Sequence, residues 1–327
     1  MILDVARHKF SEGILIVATF AFVASLCAGL LFAATPDQVA YGVAPLSVAI
    51  QEFAVLHPVL CAILLFPMLI YSAVRLSRAT VRVGIYTVST LAALSLAAIS
   101  IFAVTMSQHF VYLTVVAWLM SEVLGRLFYS FGPNTKPNSI FTSMLALGAM
   151  PLVDCALIPL VILLALVFIL LRGTLRETLI ALLGLLLPSF VYCYVVWWLG
   201  GEFNEAFLAI WANFEVSQHS ALVEYLSLSR LIFIGVMLFF QLWCILFYVK
   251  DRVMFSDVAH TVWRVVLFLL LVHVVLLLLY PAASPAILVV MVLMTTVMLP
   301  QFFISVDGMI GAIAYVVLIA SAFGAMF

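Results

Sequence analysis

Apolar runs of roughly twenty residues recur along the 327-residue chain, separated by short polar punctuation. About twenty apolar residues of helix cross the hydrocarbon core of a bilayer, and a helix satisfies its own backbone hydrogen bonds there, so each run predicts a transmembrane helix. The spans fall at residues 13–34, 57–75, 84–106, 110–130, 138–150, 152–171, 178–199, 229–249, 259–280, 285–304 and 308–327. Eleven spans imply an all-α, polytopic transmembrane helical bundle, expected to form a single integral membrane domain over residues 1–327. The alternating segments of a membrane barrel do not occur. The fifth span is short and meets the sixth at Met150-Pro151, where the missing proline donor breaks a helix. That pair reads either as two spans or as a re-entrant hairpin.

Two stretches are long without being continuously apolar. Residues 35–56 place Leu46, Ile50, Phe53 and Ala54 at helical spacing opposite Ser47, Gln51 and Glu52. Residues 200–228 place Phe203, Phe207, Ile210, Trp211 and Phe214 on one stripe, with Glu202, Glu205, Ala209 and Asn213 on other faces. Each predicts an amphipathic helix lying along the outer membrane surface, either capping the bundle or walling a cleft. A lipid-surface anchor carries Lys and Arg on its polar face. These loops carry Asp37, Glu52, Glu202, Glu205, Glu215 and Glu224 instead, which suits a surface facing a substrate or a partner.

Composition then excludes whole classes. With 68% apolar and 8% charged residues, the chain cannot be a water-soluble domain, which is about half apolar and a quarter charged. Thirteen Lys and Arg against 14 Asp and Glu leave a net charge of -1 and no basic block for nucleic acid. Cys27, Cys61, Cys155, Cys193 and Cys244 all lie in apolar runs and read as packing residues.

The placement of charge says more than its amount. With a cytoplasmic N-terminus, Arg7, Lys9, Arg75, Arg78, Arg82, Arg126, Lys136, Arg172, Arg176, Lys250, Arg252 and Arg264 all fall at or near the inner side. Only Arg230 is left outside, and treating the fifth and sixth spans as a hairpin does not disturb the count. The first apolar run covers 22 residues, longer than the 7 to 15 usual in a signal peptide, and reads as the first helix.

Charges inside the hydrocarbon cost about 2.5 to 3.5 kcal/mol each on insertion scales, so the few present are candidates for function. Glu122 and Arg126 lie four apart and share a helix face, as a structural ion pair or an intramembrane polar site. Asp154 follows Pro151, where it either caps a helix or contacts a ligand in a polar cavity. His273 sits among leucines, as a neutral hydrogen-bonded core residue or a ligand. Arg230 suits a lipid phosphate or pyrophosphate, which a guanidinium grips in two places; pairing with Glu224 is the plain alternative. Asp37 either caps the following helix or acts as the base that activates an acceptor hydroxyl. Glu202 and His219 in the second loop complete the substrate-binding candidates. The histidines show no metal spacing, and no phosphate-binding glycine loop or nucleophile elbow occurs, so neither a metal nor a cofactor is expected.

Asn138-Ser139-Ile140-Phe141, Leu147-Gly148, Pro151, the run from Leu171 through Arg172-Gly173-Thr174-Leu175-Arg176 to Glu177, and then Leu182-Leu183-Gly184 to Pro188 resemble a family of multi-pass inner-membrane proteins of Bacteroidetes, a domain of unknown function. The resemblance is clearest over residues 130–200 and implies a bacterial inner-membrane location. The layout is also similar to that of the C-type membrane glycosyltransferases, which use polyprenyl-phosphate-linked sugars. That likeness implies an acidic catalytic residue at Asp37 and a phosphate contact at Arg230. It departs from the family in its short first loop, in the absence of a paired acidic motif beside Asp37 and in the lack of an outer soluble domain.

Three readings follow. One is the handling of a polyprenyl-phosphate-linked sugar or other isoprenoid-linked substrate at the outer leaflet, with membrane lipids as partners. The second is a transporter or flippase using Glu122, Arg126, Asp154 and His273. The third is a non-catalytic subunit or scaffold of an envelope complex, with membrane-protein partners.

Overall fold

The computed structural model describes residues 9–30, 44–106, 110–131, 137–172, 174–216, 226–279, 284–306 and 308–325. Thirteen α-helices and two short 3₁₀ turns account for nearly all of them, and the described residues contain no strand. In chain order the first six are α1 (Phe10–Leu30), α2 (Pro45–Leu56), α3 (Pro58–Val83), α4 (Ala92–Thr105), α5 (Phe110–Ser130) and α6 (Pro137–Val153). A 3₁₀ turn at Cys155–Leu157 leads into α7 (Ile158–Arg172), α8 (Leu175–Trp198) and α9 (Phe203–Val216). Next come α10 (Leu228–Lys250), a 3₁₀ turn at Arg252–Met254, α11 (Asp257–Leu279), α12 (Pro285–Ser305) and α13 (Gly308–Gly324).

Seven helices, namely α1, α3, α5, α8, α10, α11 and α12, are long and apolar enough to cross a bilayer. They mark the chain as a helical integral membrane protein. The shorter apolar helices α4, α6, α7 and α13 stand at the positions of the other four expected spans.

The boundaries of two of those spans differ from expectation. The second span was to end at Arg75, but α3 continues for two further turns to Val83. It stops where Gly84 takes a left-handed φ of 65° and its N–H closes onto Thr80 and Val81. Arg75, Arg78 and Arg82 do not mark a loop. They stay helical because their side chains reach the polar edge or a partner while the backbone remains paired. The third span shrinks accordingly, and α4 has 14 residues, all buried. Residues 84–91 are an irregular segment secured from neighbouring helices, with Trp263 Nε1 donating to Ile85 O at 3.1 Å and Tyr86 OH donating to Val297 O at 2.8 Å. Non-helical backbone inside a membrane protein requires such enclosure.

α4 and α12 form the centre of the bundle. Lipid tails are as apolar as leucine, so membrane helices associate through close packing, and small residues permit it. Half of α4 is Ala or Ser, which lets α1, α3, α12 and α13 close on it. α6 and α8 approach more closely still. A Cβ on Gly148 would lie 2.0 Å from Leu185 O, and one on Gly184 would lie 2.6 Å from Phe141 O, so the two backbones touch.

The contacts also fix which helix ends lie together. α4 and α12 are antiparallel, with Thr87 beside Gln301 at one end. The ends of α3 and α5 that carry Arg82 and Tyr129 meet. We call the end holding Arg75, Arg78, Arg82 and Arg126 the basic end, and its opposite the far end. Pro151 lies inside α6, which runs on to Val153, three residues past the expected end at Met150. α8 runs parallel to α6, with Gly184 opposite Phe141 and Cys193 clustered with Leu152. The intervening α7 therefore runs back antiparallel to both, and the turn between α6 and α7 lies beside Ser284 at the start of α12.

The two predicted surface helices, α2 and α9, are present and converge on the break between α6 and α7. Leu46 of α2 and Ala206 and Ile210 of α9 pack with Leu152 and Cys193, while Ala44 joins Cys155 and Ile158. Their buried faces differ from the expected ones. In α9 the inward residues are Phe203, Ala206 and Ile210, and Phe207 is exposed. The small Ala206 lets α9 lie close, with Phe207 turned outward. In α2, Ser47 is buried because its hydroxyl caps the helix, accepting from Ala44 N–H at 3.1 Å.

Candidate functional site

Charged and polar side chains gather at two places. At the basic end, the expected Glu122–Arg126 pair forms, with Arg126 Nε donating to Glu122 Oε2 at 2.6 Å. Two residues of α3 join it. Tyr71 OH donates to Glu122 Oε1, and Arg75 Nε faces the same oxygen at 3.3 Å without hydrogen-bond alignment. Arg126 Nη1 also donates to Thr142 Oγ1 of α6 at 2.8 Å, and Thr142 donates to Asn138 O at 2.6 Å. Glu122 is 7% exposed, so one buried carboxylate is shared by two guanidinium groups and a phenol. Gly125 makes the space, since a Cβ there would lie 3.1 Å from Arg75 Nε. Spacing along α5 reveals Arg126. Tyr71, Arg75 and Thr142 come from other helices, and their only sequence signal is their polarity within apolar runs.

At the far end, Asp154 is completely buried. Its Oδ1 accepts from Ala156 N–H at 2.9 Å, capping the 3₁₀ turn, and its Oδ2 accepts from the Ser284 hydroxyl. Ser284 itself caps α12, accepting from Ala286 N–H at 3.1 Å. One hydrogen bond thus ties two helix caps together beneath α2 and α9. Arg230, in the first turn of α10, bridges two further helix ends. Its Nη2 donates to Met106 O at 2.9 Å, at the end of α4, and its Nε donates to Ala325 O at 3.2 Å, at the end of α13. A cation beside terminal carbonyls also complements the helix dipoles.

Glu202 stands exposed just ahead of α9. His273 is buried in α11, where Nδ1 donates to Leu269 O at 2.5 Å and Nε2 has no partner among the described residues. Asp37, His219 and Glu224 lie outside the described residues. Among the described residues, no three His, Cys, Asp or Glu side chains come together as a metal site would require.

One recess of the bundle is apolar. A groove of roughly 770 Å³ runs between α10, α12 and α13, lined by residues that include Gly235, Phe239, Trp243, Phe302, Ile313 and Val317. Ile232, two residues after Arg230, also lines it, so the groove extends toward the far end. Its length and lack of polar groups suit a hydrocarbon chain; Arg230 is not among its lining residues and lies on another face of α10, at the same end of that helix. No protein family matches the chain, and neither does any curated protein or solved structure.

Proposed function

We propose that this membrane protein handles a polyprenyl-phosphate-linked sugar, or another isoprenoid-linked substrate, at the outer leaflet of a bacterial inner membrane. The observation that carries this reading is the roughly 770 Å³ apolar groove on α10, α12 and α13; Arg230, on another face of the first turn of α10, is the cation at that end of the helix. An isoprenoid chain is long and wholly apolar, and its phosphate seeks a cation where the chain emerges. Arg230 serves here as a fixed cation, held by the carbonyls of Met106 and Ala325. In this reading Asp37 is the base that activates the acceptor, with Glu202 and His219 on the approach from outside. Asp154, with both oxygens engaged beneath α2 and α9, belongs to the scaffold of the site.

Gly235 allows a clean test, because a Cβ there meets nothing within 4 Å and a larger side chain would project into the groove. Native mass spectrometry of the protein extracted from its own membrane should show a bound polyprenyl-phosphate lipid. Gly235→Leu should lower its occupancy by about tenfold while the thermal unfolding midpoint holds or rises, since leucine is a better helix former than glycine. Wild-type protein without such a lipid, or Gly235→Leu protein that keeps it, sinks the proposal. The catalytic part stands separately and fails if Asp37→Asn leaves the envelope glycan profile unchanged.

A further inference from the structure

α3 carries a second amphiphilic feature, on a different face of the bundle from the groove. Leu60, Leu64, Tyr71, Arg75, Arg78 and Arg82 follow one another at steps of four, seven, four, three and four residues. At about 100° per residue these steps keep all six within about 60° of arc, a single stripe along the helix. The stripe faces outward: Leu60, Leu64 and Tyr71 are exposed, as are Arg78 and Arg82, and Arg75 is partly buried. It is apolar for its first three members and cationic for its last three. On another face of the same helix, centred about 140° round from the stripe, α1 and α3 enclose an apolar notch of roughly 470 Å³ lined by residues that include Phe22, Ala62, Ile63 and Phe66.

The cations of this stripe outnumber the carboxylates available to them. Glu122 is shared between Arg75 and Arg126. Neither Arg78 nor Arg82 has a carboxylate in ion-pair range among the described residues, and Arg82 lies 5.8 Å from the centre of the Tyr129 ring. An orientation signal alone needs only positive charge near a loop. Here the charges are all arginine, they are helical, and they continue an apolar stripe. Guanidinium groups favour phosphate because their planar fork meets two oxygens at once.

We infer that this face binds an anionic phospholipid of the inner leaflet, with its phosphate on Arg78 and Arg82 and its acyl chains along Tyr71 toward Leu64 and Leu60. The rise from Arg78 to Leu64 is about 21 Å at 1.5 Å per residue, enough for an acyl chain of one leaflet. The headgroup supplies the negative charge that the described residues do not place beside Arg78 and Arg82.

The full-length protein, purified in detergent, would be titrated with phosphatidylglycerol or phosphatidylcholine and the bound lipid counted by native mass spectrometry. Phosphatidylglycerol should be retained preferentially and should raise the thermal unfolding midpoint, whereas phosphatidylcholine should do neither. The double variant Arg78→Gln/Arg82→Gln changes two exposed side chains and should lose about tenfold or more of the phosphatidylglycerol retention. Gly235→Leu should leave that retention unchanged, which separates this face from the groove. Equal retention of the two lipids by the wild type, or full retention by the double variant, overturns the inference. Displacement of the lipid by millimolar inorganic phosphate also overturns it, since the site would then take a small anion and make no use of the apolar stripe.

Discussion

The two ends of the bundle use their scarce charges in different ways. At the basic end the contacts run between side chains: Glu122 meets Tyr71, Arg75 and Arg126 on helices that continue past it. At the far end they run mainly to backbone, with Arg230 on the carbonyls of Met106 and Ala325, and Asp154 and Ser284, themselves joined by one hydrogen bond, on the amides of Ala156 and Ala286. The cause lies in helix length. A helix end leaves up to four backbone groups unpaired, which water satisfies at an ordinary surface. α4 has 14 residues, about 21 Å at 1.5 Å per residue, and falls short of a hydrocarbon core about 30 Å thick. Its last carbonyls end inside the protein, and Arg230 reaches one of them. Charge at the far end follows from helices that stop, whereas charge at the basic end follows from a carboxylate inside helices that do not.

That contrast predicts a ranking of damage. Glu122→Ala should cost most, about 3 to 5 kcal/mol, because it strands Arg75 and Arg126 without their counter-ion. Unfolding by SDS titration in mixed micelles would measure it, and adding Arg75→Leu should recover part of the loss. Arg230→Ala should come second, at about 2 to 3 kcal/mol, from two charge-assisted bonds to carbonyls. Arg230→Lys should recover only part of this, since one ammonium on a flexible stem does not reproduce a fork that spans two helix ends. If Arg230→Ala equals or exceeds Glu122→Ala, the far end is not merely a set of caps, and the distinction between the two ends collapses.

The hydropathy pattern resolves α5, α10, α11 and α12 to within two residues at each boundary, because apolar runs between polar stops carry that information directly. It fails at α3, where Arg75, Arg78 and Arg82 look like a loop but are helical residues whose side chains carry their charge outward or onto Glu122. Glu122 and Arg126 are legible because they are four apart on one helix. Tyr71 is 51 residues from Glu122, and no local pattern announces that meeting. Arg230 stands out in the sequence as the one cation that a cytoplasmic N-terminus would leave outside, yet its partners are backbone carbonyls, which every residue possesses and no sequence distinguishes. Likewise Pro151 signals a broken helix near Asp154, while Ser284, 130 residues further on, is visible only in three dimensions.

Ser284 supports the smallest of the expected effects and the finest test of the contrast. Its oxygen accepts from Ala286 N–H at 3.1 Å while its hydroxyl donates to Asp154, so Ser284→Ala removes an N-cap and one bond to a carboxylate in a single change. An N-cap is worth about 1 kcal/mol, and Asp154 keeps its other bond, from Ala156 N–H at 2.9 Å. The total should be about 1 to 2 kcal/mol, below the effect of Arg230→Ala. Hydrogen exchange locates the loss as well as sizing it. Protection should fall in the first turn of α12 and in the 3₁₀ turn at Cys155–Leu157, and should be unchanged around Glu122. Loss of protection reaching the basic end would mean that the two clusters are coupled through α12, and the two ends would then have to be treated as one network.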